Sequence, residues 1–395
     1  MSPIPEISRI RGQDSLLLKT RSVELAVTLS GAMLGPVSFF PGDPAPISPY
    51  AVAPWAEEAL PPDLPPMLRT LRGDWFCSAF GGNEQPYRGH HLPPHGETAN
   101  RVWHCLGRGS EDAGCWLKLG VDLPLQGGRC EATTALLEGH SIIYQRHDLS
   151  ALTGPINPGH HATLAFPDRA GAGRLSFSRF VHARTFFEPT ERAENRGYSW
   201  LKADAAITDL HAVPCIDGTS TDLSSYPARR GFEDIAIVCA DASLPLAWSA
   251  VTFPEEGFAW FSLRNPKLLA STLLWFSNGG RHSPPWNGRH VNVLGVEDLT
   301  AFFHVGLAAS CEPNALSARG IRTCLEPDAT GRLCIPYIQG VIRIPAGFDR
   351  VGAVEPGQNG ETIRFTSESG LEVETACEVE FLSTGRLRGV QLPGM

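Results

Sequence analysis

Apolar and polar residues alternate along most of the chain, and this alternation predicts β-strands. Between residues 22 and 40, apolar side chains two positions apart share one face before two glycines interrupt the run, which predicts a hairpin or two consecutive strands. The same short pattern, bounded by turn-forming or charged residues, recurs in the segments 102–106, 116–123, 130–137, 141–149, 174–187, 234–239, 247–253, 258–263, 268–276, 341–344 and 362–382.

Helical periodicity is weak, and the best short candidate runs from Asp298 to Ala309. Glycine (40) and proline (33) make up close to a fifth of the 395 residues without a Gly-X-Y period, so turns must be frequent. No polar linker, shift of composition or clean internal repeat divides the chain. These features predict a single all-β domain over residues 1–395, built from two packed sheets.

One segment departs from this pattern. Residues 41–67 contain nine prolines in 27 positions, which excludes a regular strand or a long helix. We expect this Pro-rich segment to form a surface loop.

Charge and hydropathy exclude several classes of protein. Asp and Glu (42) outnumber Lys and Arg (33), and the net charge of −9 argues against a nucleic-acid partner or binding to an anionic membrane. The apolar stretch 268–276 has nine residues, whereas a membrane helix needs about 20. The first 20 residues contain no apolar signal-peptide core. We therefore expect a cytoplasmic protein that does not associate with membranes.

Residues able to carry chemistry concentrate in three polar and aromatic islands, at residues 71–103, 156–167 and 275–299. The motifs G-x-S-x-G, G-x-x-x-x-G-K-[ST], H-E-x-x-H and G-x-G-x-x-G are absent, and none of the ten cysteines forms a C-x-x-C pair. We expect neither a catalytic metal nor a cofactor. His90 and His91 are interpreted as ordinary loop histidines, and a zinc site that joins them to His95 is the weaker alternative.

Glu297 stands out because it interrupts an apolar stretch, VNVLGVE. A carboxylate in such a stretch is expected to point into a pocket, where burial is unfavourable unless the group is paired or its pKa is raised. His161 begins a predicted strand in the second island. For either residue alone, a satisfied buried polar side chain is the slightly favoured interpretation.

Taken in order, the three islands resemble the aldose 1-epimerase (galactose mutarotase) superfamily, in particular its hexose-6-phosphate mutarotase-like branch. The segments that carry the resemblance are LRGDWFCSAFGG with LPPHGETANRVW, then GHHATL, then LGVEDL and finally IRIPAGFDRV. The resemblance implies a supersandwich of large antiparallel sheets with a sugar bound in an open cleft on one sheet. The Pro-rich segment is then expected to cover or narrow that cleft.

The resemblance also implies roles for individual residues. Glu297 is the expected base on the anomeric hydroxyl, and His161 the expected acid on the ring oxygen. Base and acid are expected on opposite sides of the anomeric centre, separated by roughly the width of a sugar ring. The residues expected to bind the sugar are His95, Arg72, Asp234 and Trp275. The implied partner is a small-molecule sugar, and the implied protein is a monomer or homodimer.

Two departures from the family pattern bear on the substrate. Ala99 occupies a position where the sugar-phosphate branch often has an arginine, and Arg101 follows two residues later. This displacement favours a free sugar over a sugar phosphate. His161 is followed by Ala-Thr-Leu where the family has Pro-Tyr-Phe.

Two other functions remain open at this stage. The same scaffold can serve a non-catalytic carbohydrate-binding protein, since fold does not fix function. A polysaccharide lyase-type enzyme is less favoured, because Tyr87 is the only tyrosine in the three islands. The discriminating feature is whether Glu297 and His161 face one cleft.

Overall fold

Antiparallel strands dominate the computed structural model, which describes residues 6–358 and 360–394. In chain order the strands are β1 (Ser8–Ile10), β2 (Gln13–Lys19), β3 (Val23–Thr28), β4 (Leu34–Phe39), β5 (Phe76–Cys77), β6 (His104–Glu111), β7 (Gly114–Asp122), β8 (Arg129–Leu137), β9 (Ile142–Ser150), β10 (Gly159–His160), β11 (Ala162–Ala165), β12 (Gly173–Phe177), β13 (Phe180–Thr185), β14 (Val213–Pro214), β15 (Ser220–Thr221), β16 (Ser225–Tyr226), β17 (Phe232–Ala240), β18 (Ala247–Phe253), β19 (Phe258–Arg264), β20 (Ser271–Asn278), β21 (Val293–Leu299), β22 (Leu333–Arg343), β23 (Val351–Pro356), β24 (Thr362–Ser367) and β25 (Glu372–Ala376).

Helices are short. They are α1 (Pro66–Thr70), α2 (Gly96–Asn100), α3 (Leu307–Cys311) and α4 (Phe381–Thr384), with two 3₁₀ turns at Ala193–Asn195 and Ser317–Arg319. None of the helices in the described ranges has the length and hydrophobicity that crossing a bilayer requires.

Two large sheets form the body of the protein. The seven-stranded sheet has the order β13-β17-β20-β21-β10-β5, with β11 also paired to β21. The nine-stranded sheet has the order β16-β12-β18-β19-β22-β9-β8-β7-β6. A four-stranded sheet β1–β4, the pair β14–β15 and a three-stranded sheet β23–β25 complete the described strands.

The main core lies between the two large sheets. One apolar cluster contains Leu274 and Val296 of the seven-stranded sheet together with Trp260 and Val341 of the nine-stranded sheet. Burial of such side chains stabilises the sandwich by about 25 cal/mol for each Å² of apolar surface removed from water. The predicted all-β fold of packed antiparallel sheets is confirmed.

The second face of the seven-stranded sheet is also buried, because loops and short helices cover it. Leu273 and Trp275 of β20 point to this face, whereas Leu274 and Phe276 point into the main core. The covering cluster includes Trp55, Trp75, Phe80, Trp286 and Phe303. This aromatic layer is where the functional site forms.

The helix predicted over residues 298–309 is wrong in extent. Strand β21 continues to Leu299, and only residues 307–311 are helical. Phe303 and Gly306 adopt positive φ angles of 49° and 127°, which an α-helix does not accommodate. The strand pattern predicted to continue to residue 382 likewise ends earlier, since α4 occupies residues 381–384.

Candidate active site

A cavity of about 210 Å³ lies on the covered face of the seven-stranded sheet. Its polar wall contains histidines, a carboxyl group and a guanidinium, and the remaining wall is apolar. The lining residues are Pro65, Met67, Leu68, Leu71, Pro94, His95, His161, Ile235, Leu273, Trp275, Arg281, Trp286, Glu297 and His304. A concave, mostly apolar site with a few convergent polar groups is the usual form of a small-molecule site.

Two buried polar side chains meet in this cavity. His161 Nε2 lies 3.3 Å from Glu297 Oε1, and the side chains are only 5% and 2% exposed. Strand pairing sets this contact, because Ala162 of β11 is paired with Val296 of β21 and each functional residue is the adjacent one. The His161 backbone N–H also donates to the carbonyl of Trp75 at 2.9 Å.

The imidazole of His161 is held on two further sides. Its ring stacks on Trp75 with centroids 3.9 Å apart, and its Nδ1 lies 3.3 Å from the Thr163 hydroxyl. These contacts leave Nε2 directed toward the carboxyl group. Gly295 makes room for that carboxyl, since a Cβ at this position would lie 2.3 Å from Glu297 Oε1.

The contact differs from the expected arrangement. A gap as wide as a sugar ring was expected between base and acid, but Glu297 and His161 touch, so a sugar cannot lie between them. Oε1 of Glu297 nevertheless lacks a well-aligned hydrogen bond among the described residues. The two groups are therefore adjacent without being locked together, and both remain available to a ligand in the cavity.

Burial controls the protonation of this pair. It raises the pKa of Glu297 well above 4.5, and it lowers the pKa of His161 well below 6.5, an effect that neighbouring His95 reinforces. Both directions favour the uncharged form of the group. Burial therefore favours a state in which the pair holds one acidic proton, on Glu297 rather than on His161.

A second imidazole, that of His95, lies beside the pair. Its ring centroid is 5.0 Å from that of His161, and its Nδ1 is 3.6 Å from Cys77 Sγ. His95 directly precedes α2 and has a φ of 58°. Burial lowers its pKa to about 4, so the ring is neutral at physiological pH.

His304 is a third cavity imidazole, and the sequence did not single it out. Its ring contacts Phe186 with centroids 4.4 Å apart, and its buried Nδ1 has no hydrogen-bond partner among the described residues. Burial, with contributions from His95 and Arg281, lowers its pKa to about 3. The only sequence signal is a histidine that follows two phenylalanines, AFFHVG, in a stretch interpreted as helical.

Asn83 joins the loops that carry His95 and His304. Its Nδ2 donates to the carbonyls of Ala79, Gly81 and Pro93 at 3.0–3.1 Å, and its Oδ1 accepts from the Leu307 N–H at 2.9 Å. Gly81 permits this close approach, because a Cβ there would lie 2.5 Å from the His304 carbonyl oxygen. The FGGN sequence of the first island thus builds one corner of the site.

The aromatic wall is fixed by a buried carboxyl behind it. Trp275 Nε1 donates to Glu233 Oε2 at 2.8 Å, and the indole stacks on His290 with centroids 5.5 Å apart. Burial raises the pKa of Glu233 to about 8, so this group is largely protonated at neutral pH. Trp286 completes the wall, with its ring 5.8 Å from that of Trp275.

The end of the Pro-rich segment forms part of the cavity wall through Pro65, Met67 and the adjacent Leu68. Upstream in the segment, Trp55 packs edge-on against Trp286 with centroids 4.7 Å apart. Glu58 makes a two-pronged ion pair with Arg289. The segment therefore narrows the cavity from the side opposite the sheet.

Known structures share this architecture. A candidate aldose 1-epimerase from Escherichia coli K12 matches with a TM-score of 0.55 at 11% identity, over 84% of this chain and 100% of its own. A galactose mutarotase-like protein from Clostridium acetobutylicum matches with a TM-score of 0.56 at 8% identity, over 86% and 98%. The chain has the galactose mutarotase-like fold. A candidate aldose 1-epimerase from Klebsiella pneumoniae shares the mutarotase-like fold with a TM-score of 0.58 at 10% identity, over 84% and 80%.

No protein-family model and no curated protein matches the sequence. At identities of 8–11%, the likeness to the solved structures lies in the fold. The mutarotase-like fold alone therefore does not identify the reaction, which depends on the residues that line the cavity.

Arg72, which the resemblance implies as a sugar ligand, does not line the cavity. Arg72 is fully buried outside the cavity, and its guanidinium donates to the carbonyls of Thr70, Ile10 and Arg11 at 2.8, 3.2 and 2.8 Å. The guanidinium N–H groups that could bind sugar hydroxyls are directed to these backbone carbonyls instead. Arg72 is a structural residue.

Asp234 is also placed away from the cavity. Its carboxylate accepts from the backbone N–H groups of Trp200 and Leu201 at 3.0 and 2.9 Å, on the face of β17 opposite to Ile235. Because strand side chains alternate, Glu233 is the acidic residue of this strand on the cavity side. Asp234, like Arg72, therefore does not line the cavity.

The remaining predicted residues divide clearly. His95, His161, Trp275 and Glu297 all line the cavity, whereas His90 and His91 are exposed and do not. Within residues 6–358 and 360–394, no group of three or more His, Cys, Asp or Glu side chains is arranged to hold a metal ion. Tyr87, the one tyrosine of the three polar and aromatic islands, lines a separate pocket.

Proposed function

We propose that this protein is a mutarotase-like isomerase that interconverts the anomers of a free sugar. The observation that carries the proposal is the contact of Glu297 with His161 inside a partly aromatic cavity. The names of the candidate aldose 1-epimerases and the mutarotase-like protein with the same fold support the same class of reaction.

Adjacent groups suit the chemistry of an anomeric centre. The anomeric hydroxyl and the ring oxygen are bonded to the same carbon, so an acid and a base in contact with each other reach both oxygens from one side. The substrate therefore lies against the edge of the His161–Glu297 pair rather than between the two groups. General acid–base catalysis of this type contributes about 10²–10⁴-fold to a rate.

The raised pKa of Glu297 and the lowered pKa of His161 favour roles opposite to those expected from the sequence. Glu297, which holds the proton, donates it to the ring oxygen, and His161 Nε2 accepts the proton of the anomeric hydroxyl. The bond from the anomeric carbon to the ring oxygen breaks, and an aldehyde and a free hydroxyl form. After the aldehyde turns, Glu297 takes back the hydroxyl proton while His161 returns its proton to the aldehyde oxygen, which closes the ring and restores the pair.

The surrounding residues fit this sequence of steps. Trp275 and Trp286 offer apolar faces to the C–H groups of a sugar, and Leu273 and Ile235 exclude water from the ring-opened aldehyde. His95, which is neutral and next to His161, is placed to hydrogen-bond a hydroxyl. The apolar surroundings also strengthen each hydrogen bond to the transition state.

Two-dimensional NMR exchange spectroscopy at the anomeric proton tests the proposal. Catalytic amounts of the protein should increase exchange between α and β signals for at least one member of a panel of aldoses and uronic acids. Glu297→Gln serves as the matched control for buffer catalysis. An exchange rate equal to that of the control for every sugar would refute the proposal.

The competing function is a non-catalytic carbohydrate-binding protein. One observation favours it, namely that Oε1 of Glu297 and Nε2 of His161 are adjacent but poorly aligned. Sugar binding detected by tryptophan fluorescence, without any acceleration of exchange, would establish this alternative.

A further inference from the structure

We infer that the cavity selects a sugar with one carboxylate substituent, a uronic acid, and that Arg281 and His304 bind this carboxylate. The inference rests on the proposed site and names its substrate class. Its basis is the polar groups that line the cavity and take no part in the proposed proton transfer.

Arg281 is the one permanently charged side chain among the described residues that line the cavity. Its Nε is bound by Glu191, which is not part of the lining, and its guanidinium lies 4.6 Å from the Trp286 ring centroid. Neither terminal nitrogen of the guanidinium hydrogen-bonds to a described residue. The group is therefore held in place at one edge while its other donors stay free for a ligand.

The acidic groups near Arg281 do not occupy those free donors. Burial raises the pKa of Glu297, the acidic lining residue, which favours its uncharged form, and it raises the pKa of Glu233 behind Trp275 to about 8. Glu191 balances Arg281 from outside and fixes its orientation through Nε. The cavity thus presents a guanidinium to its contents without presenting a carboxylate beside it.

His304 is the second, independent observation. Its Nδ1 is buried, has no partner among the described residues and belongs to the same cavity. The positive charge of Arg281 acts on this ring, which places the two groups within electrostatic reach of each other. An unpaired buried polar atom is unfavourable by about 1–3 kcal/mol. A ligand oxygen that hydrogen-bonds to His304 Nδ1 would remove this unfavourable free energy.

The charge balance favours a carboxylate over a phosphate. A carboxylate adds one negative charge beside a guanidinium that Glu191 already contacts, whereas a phosphate monoester adds nearly two at neutral pH, so the carboxylate leaves the smaller excess of negative charge. Arginine is well suited to planar carboxylate oxygens, and charge-assisted hydrogen bonds are about twice as strong as neutral ones. A neutral histidine adds one donor or acceptor without further charge.

Tryptophan fluorescence titration tests the inference, because Trp275 and Trp286 line the cavity. The probes are D-glucuronate and D-galacturonate, their neutral amides, D-glucose and glucose 6-phosphate. We expect at least one uronate to bind about 10- to 100-fold more tightly than its amide. Arg281→Gln should abolish this difference, Arg281→Lys should retain part of it, and His304→Phe should reduce it.

The matched control is Arg289→Gln. Arg289 lies in the same loop and also stacks over a tryptophan, but it pairs with Glu58 outside the cavity lining. This variant should keep the preference for uronate. Equal binding of uronate and amide by the wild type, or a preference for glucose 6-phosphate, would overturn the inference.

Parallel exchange measurements separate this inference from the proposed function. Uronate binding that depends on Arg281 without accelerated anomer exchange supports the inference and refutes the isomerase. Accelerated exchange of neutral aldoses, with no gain in binding or rate for uronates, supports the isomerase and refutes the inference.

Discussion

Glu297 and Asp298 are consecutive residues of β21, yet their carboxyl groups lie on opposite faces of the sheet, and Asp298 is paired with an arginine whereas Glu297 contacts a histidine. Asp298 points into the main core, where its Oδ1 lies 2.8 Å from Arg264 Nη1 and where it also accepts from Thr272 and Tyr337. Glu297 points into the cavity, where none of the described Lys and Arg side chains is paired with it. The first carboxyl stabilises the fold, and the second leaves an unpaired polar group available for function.

Replacing Asp298 should destabilise the protein. In Asp298→Asn the buried guanidinium of Arg264 loses its counter-charge, and breaking one partner of a buried pair costs about 3–5 kcal/mol. Urea unfolding monitored by tryptophan fluorescence measures the change in the free energy of unfolding. A loss below about 1 kcal/mol would show that the surrounding hydroxyl groups, rather than the ion pair, satisfy this site.

Replacing Glu297 should have a different effect on stability, with a characteristic pH dependence. Its folded-state pKa lies above the unfolded value of 4.5, so between these values the unfolded chain binds fewer protons than the folded one. The free energy of unfolding of the wild type therefore falls as pH rises through this window. Glu297→Gln lacks this loss, so its melting temperature relative to the wild type should increase from pH 5 to pH 8.

Scanning calorimetry at both pH values checks this prediction. His161→Asn is a useful comparison, since the depressed pKa of His161 makes its effect opposite in sign and confined to pH values below 6.5. A melting-temperature difference between wild type and Glu297→Gln that does not change with pH would mean that Glu297 ionises normally in the folded protein.

Catalysis should depend on both members of the pair. Glu297→Gln removes the acidic proton but keeps the shape of the side chain, and His161→Asn removes the base, so each should lower the exchange rate by about 10²–10⁴-fold. Sugar binding should change little in either variant. Because the two groups act in one step, the double variant should be scarcely slower than the slower single variant.

The anomer exchange rates of the two single variants and the double variant test whether the two groups act in one step. Losses that multiply in the double variant would indicate that Glu297 and His161 act in separate steps. Wild-type exchange in Glu297→Gln would place the acid elsewhere.

The pH profile of exchange distinguishes the protonation states of the pair. An unperturbed carboxyl and imidazole, with pKa values of 4.5 and 6.5, would share one proton only between these two pH values. Burial moves the pKa of Glu297 up and that of His161 down, so the active one-proton state should extend beyond both ends of this interval. The rate should fall when pH rises through the raised pKa of Glu297 or drops through the lowered pKa of His161.

Exchange rates from pH 4 to pH 9, corrected with the Glu297→Gln protein for buffer catalysis, test this profile. A rate that declines steadily above pH 6.5 would instead identify a charged imidazolium as the acid.

Arg72 should matter for stability and not for sugar affinity. In Arg72→Lys one ammonium replaces a guanidinium that serves three backbone carbonyls, and each buried carbonyl left unpaired costs about 1–3 kcal/mol. The free energy of unfolding should fall, while the dissociation constant for any bound sugar stays within about twofold. A weakened affinity with unchanged stability would restore the sugar-binding role expected from the sequence.

Strand alternation explains how much of the site the sequence could predict. His160 and His161 are adjacent, and the ladder sends them to opposite faces: His160 bonds Asp74 in the core at 2.9 Å, and His161 enters the cavity. Periodicity identifies the strands but not which face becomes the cavity, since both faces of this sheet are buried. Asp234, which the resemblance implies as a sugar ligand, accordingly lies on the face opposite to the cavity.

Residues on loops were harder to predict than residues on strands. Arg281 and His304 reach the cavity through segments whose course depends on tertiary contacts, such as the hydrogen bonds of Asn83. Nothing in local spacing shows that His95 and His304, 209 positions apart in the sequence, share one corner. The sequence also does not show how far apart Glu297 and His161 lie. The register between β11 and β21 sets this distance and brings the two side chains into contact.

The side chain of Asn83 constrains how this corner can diversify. Any replacement would have to satisfy three carbonyls and one N–H at a backbone φ of 54°, a combination that few side chains offer. Substitution of Asn83 would displace the His95 and His304 loops together. Descendants of this chain that change specificity should therefore do so by substituting the two histidines while retaining the asparagine that anchors them.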